Sequence, residues 1–328
     1  MFKPSNFPDG FANGFTVRGM PLVQAQPGQV FWVGNGTTLL PGCTGGADGN
    51  PGTHQRPLAT IDAAIGKCSA NTGDIIMVKP GHAETISAAS FITLDIAGVA
   101  LVGLGSGANR PTLTWSLTTS TIAVSASNIS WQNFLFLGGA ATTFVAAAFN
   151  NANAVVAKEF CIENCEFRDS SASLGFIACF VGGTTANQND GLTFMRNRVL
   201  RNLTSPPAAN TAVVTQAAID RPTFAENFIS NKTVNNNVAL GWAFGANAAQ
   251  NARIYGNRTY SLNTGTTAGE LFSGGSTTSS GLVYDNYSWH LAATGLIAPL
   301  STKLGFAENY CSITGAHDKQ PVLNPLAV

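Results

Sequence analysis

Asp285 and Glu308 are the acidic pair best placed to do chemistry. Each stands one residue before an asparagine, in YDNYSW and AENYCS, at equivalent points of a repeating unit. Adjacent strands lie about 4.8 Å apart, so carboxylates one repeat apart fall near the roughly 5 Å separation of retaining glycosidases, one as nucleophile and the other as acid. The same placement describes two solvated acids stacked on neighbouring strands, and the 23-residue interval between them is the shortest of the series. No third group is marked beside them. The sequence therefore predicts no catalytic residue, with Asp285 and Glu308 as the alternative site.

Other chemistry finds less support. Glu163, Arg196 and Glu226 form a column of alternating sign, which suits a solvated ion ladder or pairing between subunits. His82-Ala-Glu84 matches half of a zinc deaminase signature, but no P-C-x-x-C follows, so a surface turn is expected there. His54, His290 and His317 lack ligand spacing, and the scattered aspartates offer no calcium cluster for lyase chemistry. The glycines of GLGSG follow a strand without a βα unit, so they are turn glycines. No metal and no cofactor is expected. Of the six cysteines, at 43, 68, 161, 165, 179 and 311, most are expected as buried thiols, a Cys43–Cys68 bridge being the alternative for an extracellular protein.

Composition narrows the partners. Only 10% of residues are charged, 17 basic against 17 acidic, so no net field gathers nucleic acid or anionic lipid, and no apolar run approaches a membrane span. The opening MFKPSNFPDGFANGF lacks the pattern of a cleaved export signal, which points to synthesis and use in the cytoplasm.

The elements that position these residues follow from a repeat. Asn133, Asn164, Asn197, Asn227, Asn257, Asn286 and Asn309 recur at intervals of 31, 33, 30, 30, 29 and 23 residues, each inside a short β-like run such as IENCEF or MRNRVL. A strand unit repeated at this period stacks as a solenoid, with roughly nine coils between residues 73 and 312 and a rod core of about 40 Å. The asparagines are expected to form a structural ladder, each amide bonding across rungs and to local backbone.

Four segments result. Residues 1–56, rich in Gly and Pro, form an extended arm whose Phe2, Phe7, Phe11 and Phe15 must dock on the body, a sister subunit or a larger assembly. Residues 57–72 hold a short amphipathic helix, with Leu58, Ile61, Ala64, Ile65 and Cys68 on one face, that covers the open N-terminal rung. Residues 73–312 are the coil and 313–328 a C-terminal tail.

Aligning the runs on asparagine gives two apolar columns. Trp131, Ile162, Met195, Ala225, Tyr255, Tyr284 and Ala307 suit the interior. Phe194, Phe224, Ile254, Val283 and Phe306, one residue earlier, then face outward as a subunit interface along the rod. Gln132, Glu163, Arg196, Glu226, Asp285 and Glu308 are expected to line the same face, where they can pair between subunits.

The order of a Gly-rich lead, the helix PLATIDAAIGKC, the strand segment GDIIMVKPGHAETI and repeats such as FCIENCEFRDS resembles the right-handed, single-stranded parallel β-helix superfamily of pectate lyases and phage tailspikes. Within it, VFWVGNGTTLLPGCTGGADGNPGTHQRPLATIDAAIGKC is similar to phage virion proteins, among them capsid-stabilising proteins resembling shortened tailspikes. The resemblance spans residues 30–312. It implies an all-β solenoid, a homotrimer, and a non-enzymatic bacteriophage decoration protein that clamps the major capsid protein on the outer head surface after assembly in the host cytoplasm. The alternative is a tailspike that binds or depolymerises host polysaccharide. A secreted bacterial carbohydrate-active enzyme is a third reading, disfavoured by the opening segment.

Overall fold

The computed structural model describes residues 16–17, 20–21, 28–35, 44–139, 144–151, 155–171, 174–202, 211–231, 241–245, 247–262, 271–274, 278–290, 303–313 and 316–321. Short strands alternate buried and half-exposed positions, as in Ile75–Val78, because each strand shows one face to the coil interior and the other outward. The strands assemble into three long sheets, and the chain is an all-β, right-handed parallel β-helix.

The first sheet carries ten strands, from Val30–Val33 at one end to Lys303–Ala307 at the other. Nine of them fall between residues 73 and 312; Val30–Val33 adds a rung ahead of the helix, one more than the roughly nine expected. The second sheet runs from Ala83–Ile86 to Tyr310–Ile313, and the third has seven strands among the described residues, from Ile92–Leu94 to Phe272–Gly274. A last strand, Ala316–Pro321, turns back antiparallel on Tyr310–Ile313.

Two segment boundaries shift accordingly. Residues 30–33, placed in the arm by their Gly/Pro-rich surroundings, hydrogen-bond in register with Ile75–Val78, so the body begins inside 1–56. Residues 316–321, placed in the tail, extend the second sheet. Phe2, Phe7, Phe11 and Phe15 lie outside the described residues.

Helix α1 (Ile61–Ile65) buries Ile61, Ala64 and Ile65 against the first rungs of the first and third sheets. Thr60 caps it by accepting the Ala63 N–H, and Asp62 reaches across to accept from Thr93 N at 2.9 Å. Leu58, immediately before it, bridges Val33 at the edge of the stack.

The interior is filled with aromatic rings. Trp131, Phe134, Phe136, Phe149, Phe160 and Phe167 are all buried and meet ring to ring, Trp131 and Phe149 edge-on at 5.2 Å. One interior column reads Trp131, Ile162, Phe194, Phe224, Ile254, Val283 and Phe306, each registered on the next. Phe194 and Phe224 stack face to face at 5.5 Å. These are the residues expected at a subunit interface from Phe194 onward; with no more than 9% exposed in the single chain, they belong to the core. Met195, Ala225, Tyr255, Tyr284 and Ala307 take the opposite side of the first sheet, where Ala225 is buried and Tyr284 and Ala307 are exposed.

A corner one residue out of step explains the exchange. From Ser130–Gln132 onward, one residue between each strand of the first sheet and the next of the second adopts a left-handed conformation: Asn133, Asn164, Arg196, Glu226, Gly256, Asp285 and Glu308, with φ between 52° and 64°. At the first two of these corners that residue is the asparagine; from the third onward it is the residue before it. Alignment on asparagine therefore slips by one between Asn164 and Asn197.

Candidate functional site

The slip separates two roles that a single letter concealed. Asn197, Asn227, Asn257, Asn286 and Asn309 follow the corner and turn inward, each at most 1% exposed. Asn257 Oδ1 accepts both the backbone N–H and the side-chain amide of Asn227, while Asn257 Nδ2 donates to Phe224 O at 2.8 Å. The same pattern recurs from Asn257 to Asn286 and from Asn286 to Asn309. Asn133, half-exposed, and Asn164, exposed, occupy the corner itself and touch each other only at 3.5 Å. Cys165 takes the inward place at its rung: Asn197 Oδ1 accepts its backbone N–H, and its Sγ meets Phe134 N at 3.5 Å.

Asp285 and Glu308 are both corner residues on consecutive rungs. Their strands register Tyr284 on Ala307, and Asp285 N donates to Ala307 O at 3.2 Å. Both are exposed, and neither makes an ion pair among the described residues. Their position is set by the bend. Beside them an open pocket of about 410 Å³ is lined by Leu282, Tyr284, Gly305, Phe306, Ala307 and Glu308. It exists because Gly305 and Ala307 follow Leu282 and Tyr284 in register, leaving the last rung low.

The outward side of the second sheet changes character along the rod. At the middle rungs Glu166 gathers three arginines: Arg110 at 2.9 Å, Arg198 at 3.6 Å, and Arg168 through its Nε, also at 2.9 Å. Burial alone would raise the Glu166 carboxyl, but hydrogen bonds from Arg168 and Arg110 outweigh it and hold it below the usual range. Arg196 closes a similar clasp on Glu163 and approaches Glu226 at 3.8 Å, so that column is an ion ladder within one chain.

Beyond these rungs the face is aromatic. Phe228, Tyr287 and Tyr310 are exposed in one column with Arg258 between the first two. In the neighbouring column Tyr260 and Trp289 stack at 4.4 Å with planes 8° apart. On the first sheet, across the corner, Tyr255 and Tyr284 stack at 5.1 Å, and Leu282 is 58% exposed. Sequence inspection missed this patch because the slipped alignment assigned the apolar outward face to the wrong column; the run of Tyr and Trp after Asn257, Asn286 and Asn309 was the available signal.

Elsewhere, His82 is no surface turn. It is buried, its Nε2 lies 3.2 Å from Glu84 Oε2, and that oxygen also accepts the Ile61 N–H at the start of α1. The pair thus ties the helix to the second sheet. Cys68 is a free buried thiol donating to Ala64 O, and Cys43 lies outside the described residues.

The chain matches no protein-family model and no curated protein sequence. Among solved structures it is similar to a rhamnogalacturonan lyase at 11% identity, covering 88% of both chains with a TM-score of 0.32. A pectin methylesterase from Aspergillus niger is similar at 16% identity, covering 87% of this chain and 91% of that one with a TM-score of 0.42. No residue role is carried over from either.

Proposed function

We propose that this protein is a non-enzymatic structural protein of a bacteriophage particle, a homotrimer assembled in the host cytoplasm that clamps the major capsid protein on the outer head surface. The observation that carries the structural part of this reading is the aromatic patch on the last four rungs. Exposed Phe228, Tyr260, Leu282, Tyr284, Tyr287 and Tyr310 spread over two sheets that meet at one corner, on a rod whose solid interior keeps them in place. Aromatic residues and arginine at such density are the composition of a protein interface. The placement on a phage head rests on the sequence resemblance of residues 30–68.

A polysaccharide-binding or depolymerising spike of the same fold is the second reading. It draws on the pocket beside Tyr284 and Glu308, with Asp285 one rung away. Against it, the stacked rings run across rungs, so Tyr255 and Tyr260 spend a face on their neighbours instead of offering it to a sugar.

Quantitative mass spectrometry of purified source particles tests the proposal, with the major capsid protein as internal standard. A copy number comparable to the capsid protein supports a head clamp. A handful of copies moves the protein to the tail and favours the spike, and complete absence from particles removes the virion reading. If the spike reading holds, Asp285→Asn with Glu308→Gln abolishes polysaccharide cleavage.

A further inference from the structure

We infer that the aromatic and arginine-bearing face of the second sheet in one copy packs against the acidic corner and adjoining pocket of a second copy, the rods lying parallel and the contact closing cyclically. The inference rests on the homotrimer reading above and names the surfaces that would make it.

Unspent charge is the first argument. In the middle rungs the corner and sheet charges are paired within the chain, Glu166 with three arginines and Arg196 with Glu163 and Glu226. At the last rungs the pattern stops. Arg258 points outward from the second sheet with no ion pair among the described residues, and Asp285 and Glu308 stand exposed at the corner in the same condition. The chain thus carries opposite charges on two neighbouring surfaces, Arg258 one rung before Asp285 and two before Glu308.

Shape agrees with charge. The second sheet offers projecting rings, Tyr287 and Tyr310, and at the same rungs the first offers the depression over Gly305 and Ala307 walled by Tyr284. Knob and hollow on one chain can be satisfied by a second copy of it. Because the two surfaces differ, the contact is heterologous, and it forms a closed ring only if rotation brings the last copy back to the first. Two faces flanking a single corner meet that condition for three rods around one axis, each corner turned inward. Both columns repeat at about 4.8 Å per rung in each copy, so parallel rods keep them matched over several rungs. Antiparallel rods would lay the aromatic rungs against Thr85, Thr112 and Thr114 of the first rungs.

The test is the oligomeric state of the full chain by native mass spectrometry and sedimentation equilibrium. The wild type is expected as a trimer. Arg258→Glu alone, and Asp285→Arg with Glu308→Arg alone, should each weaken association about 30-fold or more, and the three reversals together should restore it. Circular dichroism and thermal unfolding confirm that each variant is folded, since all three side chains are exposed. Trimers that withstand the single reversals, or a triple variant as weak as its parents, would overturn this interface and leave the homotrimer reading standing. A wild type that stays monomeric while particles carry it at capsid-like copy number overturns self-association and leaves the virion reading. Loss of saccharide binding by Arg258→Glu in an intact trimer also overturns it, and gives the face to a glycan.

Discussion

Asn257 Oδ1 lies 2.9 Å from Asn227 Nδ2 and 3.0 Å from the backbone N–H of Asn227, so one buried oxygen satisfies two donors of the rung before it. The ladder therefore works as a chain of obligations. Asn257→Ala would take the acceptor from the Asn227 backbone N–H, one of the two bonds from the Asn227 amide and a donor from the Phe224 carbonyl, all in the interior. The expected loss is about 2–4 kcal/mol, from unsatisfied buried groups, read by chemical denaturation. Asn164→Gly, at the corner with a single 3.5 Å contact to its neighbour, should stay within about 0.5 kcal/mol of wild type.

The left-handed corner makes a second prediction. Gly256 has φ of 64°, and a Cβ there would come within 3.2 Å of Glu226 Cγ. Gly256→Ala is expected to cost about 1 kcal/mol, chiefly from backbone strain, while Glu226→Gly at the preceding corner should stabilise by a comparable amount. Thermal unfolding of the two variants should shift in opposite directions.

Phe224→Ala separates the core from the interface. The ring is buried between Phe194 and Trp242, so its removal leaves a cavity and should cost about 3–5 kcal/mol. Sedimentation of the folded variant should show the wild-type oligomeric state, whereas a subunit contact at this position would dissociate.

The repeat, the sheet-forming runs and the amphipathic face of 58–68 were legible because strand stacking and helix burial both leave a period in the apolar residues. The facing of the columns was not. Asparagine tolerates the left-handed corner and also suits the inward ladder, two adjacent positions with different physics, so Asn133 and Asn197 look alike as letters. The 33-residue interval from Asn164 to Asn197 held the clue: the corners themselves, Asn164 and Arg196, are 32 apart. A one-residue slip turns every side chain over, which is why Phe224 was assigned outside and Tyr284 inside. Cys165 as the ladder's continuation had no signal in the sequence, since nothing in its neighbours marks a thiol standing where an amide stands elsewhere.

Stability should fall on both sides of neutrality for identifiable reasons. Glu166 has its carboxyl lowered in the folded state, so its contribution is present above the unfolded value and is lost as pH falls through the folded one. Burial pushes the Cys68, Cys165 and Cys179 thiols up to about 12, so theirs is intact below the unfolded value near 9 and is lost between there and pH 12. Denaturation midpoints across pH should show the alkaline loss, and Cys165→Ala with Cys179→Ala should flatten it. In the native protein at pH 8, neither of these two thiols should react with a disulfide reagent.

Arg201 and Asp169 face each other at 3.9 Å in the interior between the second and third sheets. Arg201 also donates to the carbonyls of Phe176 and Thr211, and Asp169 accepts from the backbone of Asn202 and Phe176, so the pair fastens several chain segments at once. Burial raises the Asp169 carboxyl more than Arg201 and those N–H groups lower it, which marks a charge held at some cost. Arg201→Met would leave that carboxylate buried without its cation, and the expected loss is about 3–5 kcal/mol at pH 7. Lowering the pH should shrink the deficit, because the stranded carboxyl can then take a proton. Asp169→Asn added to Arg201→Met should recover part of it at pH 7 for the same reason. A double variant as unstable as the single one would show that the lost carbonyl contacts of Arg201, and not the stranded charge, set the cost.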